Sequence, residues 1–266
     1  MEPGALSNRL ARLDAVPARA RLGGLARPDG IVIVSERFWA FAGRDGSLRE
    51  GTITAPPRAL SKIPLLRGLI RLAASLTPLF HRSGVARPGE RWLLSGAILA
   101  PCGFMFLPER ASLVAGVVLT GLLVCWLLRG RTLALHGAEH RAIAAAEEGR
   151  LQATWSGLAR PSRFASRCGT NFAVLVLPVA VAADRLWPVS TAFYTPAVVA
   201  VLSLALSMEL WLAVQAARGF GRIFLVPGLA LQRLTTREPR LDETRLALVA
   251  AASVLERELA APASVA

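Results

Sequence analysis

The apolar and polar positions of this chain divide it into a few long apolar runs and several short periodic segments. Runs over 92–107, 111–128, 172–188 and 196–214 are each close to the length that crosses a hydrocarbon core. Pro108-Glu109-Arg110 separates the first two tightly enough to predict a helical hairpin. Nearer the start, Ile31-Val32-Ile33-Val34 and Phe38-Trp39-Ala40-Phe41 are rich in β-branched and aromatic residues. With Asp45-Gly46 as a turn signal they predict a β hairpin over 31–54, entered through a turn at Pro28-Asp29-Gly30 and ended by Pro56-Pro57. Residues 61–80 follow with Lys62, Arg67 and Arg71 among leucines and isoleucines, the pattern of a basic amphipathic helix on a lipid surface. The last helix begins near Asp242, a suitable N-cap, and runs to Leu259.

These elements predict a mainly α fold: a polytopic α-helical membrane protein with about four transmembrane helices and a small N-terminal cytoplasmic β element. The expected organisation is an N-terminal region over 1–91, a transmembrane hairpin over 92–128 and a cytoplasmic connection over 129–171. A second hairpin over 172–214 and a C-terminal cytoplasmic helix within 215–266 complete it. Composition agrees, since 53% of the residues are hydrophobic. Residues 1–22 hold no apolar core of signal-peptide length. Three cysteines, Cys102, Cys125 and Cys168, make no disulfide framework.

The formal net charge of +13 raises nucleic-acid binding, and its distribution argues against it. With four spans, all of the 31 basic residues except Arg110 and Arg185 fall on one side, as expected of cytoplasmic loops. Both termini are therefore expected in the cytoplasm, with the chain in the plasma (inner) membrane. The expected partners are the bilayer and its anionic headgroups; self-association into a homo-oligomer is also expected if the spans form a path, and nucleic acid is not expected.

Candidate chemistry is concentrated in His136-Gly137-Ala138-Glu139-His140. Positions i and i+4 of a helix share a face, so His136 and His140 can offer two imidazoles to one metal ion with Glu139 beside them. The order H-x-x-E-H is a metallopeptidase pattern, and two histidines capping the end of a membrane helix are the plainer reading. Glu147 continues the same face and is a candidate third ligand, although two turns beyond His140 is roughly 10 Å along the axis. Glu209, ionisable within an apolar run, is a second candidate. In this reading His136, His140 and Glu147 or Glu209 hold a divalent metal, most readily zinc, and Glu139 acts as general base. Cys168 is a further thiolate candidate, equally suited to a tight turn entering a helix.

Several stretches together resemble the YqhQ-like family of bacterial membrane proteins, a domain of unknown function described as a predicted metal-dependent enzyme. The matching pieces are Gly23-Gly24, Ile63-Pro64-Leu65-Leu66-Arg67-Gly68, His136 to Ile143 with Glu147, and Arg167-Cys168-Gly169-Thr170. Glu209, Pro227-Gly228-Leu229 with Gln232, and Thr235-Thr236-Arg237-Glu238-Pro239 follow in family order. The resemblance implies a multi-span membrane protein with its motifs on one face and a metal at His136 and His140. It supplies no reaction. Ala165 and Ser166 stand where the family commonly has His-Pro, Arg245 where it commonly has Glu, and Arg27-Pro28-Asp29-Gly30 replaces a more apolar segment. Three functions fit these features: a metal-dependent hydrolase or transferase at the cytoplasmic face, a noncatalytic scaffold in which the motif charges neutralise one another, and a small oligomeric transporter using Glu209 and Asp184.

Overall fold

The computed structural model describes residues 3–16, 20–54, 59–81, 84–104, 106–127, 130–187, 195–216 and 219–261. Pro56-Pro57, expected to end the β element, and the end of the third apolar run at Pro188 lie outside the described residues. In chain order the elements are helix α1 (Pro3–Asp14), strands β1 (Gly23–Arg27), β2 (Gly30–Val34), β3 (Phe38–Gly43) and β4 (Leu48–Thr52), then helices α2 (Leu66–Ser75) and α3 (Thr77–Phe80). Next come α4 (Pro88–Phe104), α5 (Glu109–Leu127), α6 (Gly130–Glu148), α7 (Leu151–Trp155), α8 (Gly169–Leu186), α9 (Thr195–Ala216), α10 (Val226–Thr235) and α11 (Leu241–Ala260). Packing groups them into two units: residues 1–55, 128–165 and 232–266 form the first, and residues 56–127 and 166–231 the second.

In the first unit, an antiparallel sheet of order β1-β2-β3-β4 packs against α6 and α11. The sheet starts one strand earlier than the pattern suggested, because Pro28-Asp29 closes a turn that pairs Arg27 with Gly30. Alternation places Ile31, Ile33, Ala40 and Ala42 in one core with Leu135, Ala142 and Leu248. The small residues Ala247, Ala250, Ala251 and Ala252 of α11 are fully buried and bring this helix close to the sheet. A fully buried leucine such as Leu135 or Leu248 contributes about 2 kcal/mol. Glu258 ties α11 to the β2–β3 connection through Ser35 (2.6 Å) and Arg37, and Ser253 donates to Glu50 of the edge strand β4 at 2.6 Å.

In the second unit, α8 packs on α9, and α2 and α4 also pack on α9. The expectation of about four spans is corrected here. Among the described residues two helices are long and apolar enough to cross a membrane, Gly169–Leu186 and Ala197–Ala216. For α4 the physical reason is usable length. Glu90 and Arg91 occupy the first turn of α4 and leave about 13 apolar residues, roughly 20 Å against a core of about 30 Å. In α5 the apolar segment among the described residues is Arg110–Leu119. The two qualifying helices are largely uncovered by protein, and Leu177, Val181 and Val201 point outward.

Candidate functional site

The site is built on α6, which is buried on nearly every face: Leu135, Ala138, Glu139, His140, Arg141 and Ala142 are all buried. Ala138 and Ala142 seat it in the core, and Gly137 admits the segment after α10. A Cβ at Gly137 would collide with the main-chain carbonyl of Arg237, whose N–H donates to the Leu133 carbonyl at 2.9 Å. This close approach explains glycine beside the first histidine.

His136 and His140 meet edge to face, with ring centroids 4.4 Å apart. His136 Nδ1 lies 2.8 Å from the Thr235 carbonyl, and His140 Nδ1 lies 2.7 Å from the Arg163 carbonyl. A carbonyl only accepts, so Nδ1 carries the proton in each ring and Nε2 is left with its lone pair. His140 Nε2 is buried and has no hydrogen-bond partner among the described residues. Burial lowers the pKa of His136, and burial together with neighbouring His136 lowers that of His140 to about 4. Both rings are therefore neutral near pH 7. Neutral imidazoles with Nδ1 anchored on a carbonyl match the way metal-binding histidines are oriented, so these two donors fit a metal ion.

Glu139 is turned to the sheet. Its carboxyl lies against Gly24, where a Cβ would stand 2.7 Å from Glu139 Cγ, and it accepts the Ala26 N–H. Complete burial pushes its pKa up to about 8, opposed only in part by that hydrogen bond. The carboxyl is thus protonated at neutral pH, the state of an acid rather than of a base.

The remaining candidates are distributed as follows. Glu147 is exposed near the end of α6. Glu238 pairs with Arg141 at 2.8 Å and lies 3.9 Å from Arg163; Arg141 also donates to the Pro161 carbonyl at 3.1 Å. Thr235 and Arg237 act through their main chain, as described above. In the second unit Glu209 accepts the Leu65 N–H at 3.1 Å and pairs with Arg67, whose Nε is 2.8 Å away. Leu65 holds φ at +67°, the left-handed region a leucine rarely adopts, and that carboxylate bond helps to keep it there. Arg167 is half-buried just before α8. Cys168 is buried as the N-cap of α8, its sulfur accepting the Thr170 N–H at 3.4 Å and lying 2.7 Å from Thr170 Oγ1.

Sequence reading gave no role to Arg163, whose carbonyl orients His140, or to Arg141, which anchors Glu238. A main-chain carbonyl leaves no signal in residue identity. The three departures from the family pattern have local accounts. Ala165 is held by its main chain, its N–H donating to Gln232 Oε1 at 2.9 Å and its carbonyl accepting from Gln232 Nε2 at 2.8 Å. Arg245 donates to the Trp155 carbonyl at 3.0 Å and lies over the Trp155 ring. Arg27, buried, pairs with Asp29 at 2.9 Å.

The histidine pair, His140 buried and His136 half-buried, thus stands on a packed helix of a mainly helical protein that carries a four-stranded sheet and, among the described residues, two helices long and apolar enough to cross a membrane. The family model for a protein of unknown function (DUF1385) matches residues 111–257, more than half of the chain, so the chain belongs to this YqhQ-like family. No curated protein and no solved structure matches it.

Proposed function

We propose that His136 and His140 hold a divalent transition-metal ion, zinc by preference, and that the chain is a metal-dependent hydrolase or transferase acting at the cytoplasmic face of a membrane. The observation that carries this reading is the buried, unpartnered Nε2 of His140 in a ring locked by the Arg163 carbonyl. A buried polar atom without a partner is costly and calls for a ligand. Bound there, the metal would supply a polarised oxygen or an activated water. The chain's own residues prepare the site. Burial keeps both imidazoles neutral, and the Thr235 and Arg163 carbonyls fix their tautomers. Glu139 stores a proton at neutral pH, and its bond to Ala26 fixes the rotation of α6. The α8 and α9 hairpin is the membrane anchor. Every one of the 31 basic residues except Arg185 lies outside 169–216, which favours both termini in the cytoplasm.

A second reading, a noncatalytic scaffold, is favoured by the sharing of Glu238 between Arg141 and Arg163, which accounts for these charges without a substrate. Elemental analysis of the detergent-purified chain, with His136→Ala and His140→Ala alongside, separates the two. The metalloenzyme reading expects about one equivalent of metal in the parent and none in either variant. A parent that stays empty after reloading, with both variants folded, leaves the scaffold.

A further inference from the structure

Two stretches of the first unit run side by side in opposite directions: 157–165, after α7, and 232–241, from the end of α10 into α11. They are joined at three levels. Leu241 covers Gly157, where a Cβ would meet its methyl group at 3.5 Å. Arg163 donates to the Thr236 carbonyl at 3.3 Å, and Gln232 bonds both main-chain groups of Ala165. Arg141 secures both stretches from beneath, through the Pro161 carbonyl and Glu238.

The outer side of this ribbon is basic and apolar at once. Arg160, Arg233 and Arg237 are exposed and have no side-chain partner among the described residues. The nearby acids are engaged: Glu238 with Arg141 and Arg163, and Asp242 with Arg240 at 3.6 Å. Between the arginines stand Leu158 and Leu234, 87% and 69% exposed, with Phe164 and Leu241 also exposed. Free guanidinium groups attract phosphate, and exposed leucines between them lose water when they enter the boundary between headgroup and acyl chain. A nucleic acid would satisfy the arginines and leave the leucines in water, while the ring of Phe164 is already covered by the Arg163 guanidinium at 5.0 Å.

We propose that this two-stranded ribbon is a membrane-contact surface, in which Arg160, Arg233 and Arg237 bind anionic lipid headgroups while Leu158 and Leu234 insert beside them. It stands independently of the metal site. The test is hydrogen exchange of peptides covering 158–165 and 233–241 in the full chain, reconstituted in nanodiscs of phosphatidylcholine alone or with 30% phosphatidylglycerol (roughly a third anionic, enough to set up the surface potential). The expected result is exchange slowed at least about fivefold by the anionic lipid, with the protection lost in the triple variant R160E/R233E/R237E and reduced in R237Q. Exchange of α6 reports whether the variants are folded. Equal exchange of the parent in the two lipids overturns the proposal by itself. Protection that survives in the folded triple variant, or that appears with added polyuridylate and not with anionic lipid, also overturns it.

Discussion

Helices α6 and α9 have similar lengths, and neither carries an amphipathic stripe, for opposite reasons. Helix α6 is surrounded by protein, so His140, Glu139 and Arg141 are buried with its alanines, and His140 Nδ1, the Glu139 carboxyl and the Arg141 guanidinium each answer to a particular neighbour. Helix α9 is apolar on its open side, with Val198 and Val201 outward, and on its packed side Ala205 and Met208 are joined by the small polar Ser203 and Ser207, with Glu209 held by Arg67 and Leu65. A helix without a stripe is either fully packed or bathed in an apolar medium. On both helices the carboxyl sits where protein meets it: the Ala26 N–H satisfies Glu139 of α6 and the Leu65 N–H satisfies Glu209 of α9, a service that lipid cannot give.

The sharpest way to break this comparison uses glycine. Gly137→Val in α6 drives side-chain atoms into the Arg237 carbonyl and should cost about 3 kcal/mol in denaturant unfolding of the detergent-purified chain. Gly116→Ala in α5, where an added Cβ meets nothing within 4 Å, should be neutral or stabilising by up to about 1 kcal/mol. Equal costs at the two sites would remove the distinction between a packed and an open helix face.

A smaller effect follows from Glu139. Its folded pKa of about 8 lies above its ordinary value of 4.5, so the folded state holds a proton that the unfolded chain has released. Its contribution is fully present below about pH 4.5 and is lost as pH rises towards 8. The histidines act in the opposite sense: their lowered values make stability fall as pH drops below 6.5 towards 4. Just above 6.5 the unfolded chain's histidines still shed protons and oppose Glu139 weakly. With chelator present, stability should fall by about 1 kcal/mol between pH 6.5 and 8, and in Glu139→Gln it should rise slightly over the same range. An unchanged slope in that variant would show that another group titrates.

The smallest effects compare a buried with an exposed partner of one ion pair. Arg141→Met leaves the Pro161 carbonyl without its donor and should cost about 1.5 kcal/mol. Glu238→Gln alters a side chain that is 60% exposed, and should cost about 0.5 kcal/mol or less by the same unfolding measurement. A reversed order would place the energetic weight on the surface charge.

The sequence by itself determined the periodic elements and the family. Strands β2 and β3, the amphipathic α2, the two most apolar helices and the histidine pair on one helix face are all legible, because alternation and i, i+4 spacing are properties of a single segment. Apolar length was a weaker guide: the run over 92–107 read as a span until the helix bounds ended α4 at Phe104, short of the hydrocarbon thickness. Only the tertiary structure decided what the motif residues touch. The carbonyls of Thr235 and Arg163 set the histidine tautomers, Gly24 and Ala26 enclose Glu139, and Gln232 holds Ala165 through its main chain. These contacts join positions about 20 to 115 apart and each uses a backbone group on at least one side, which every residue carries, so residue identity alone does not pair them until the chain is folded.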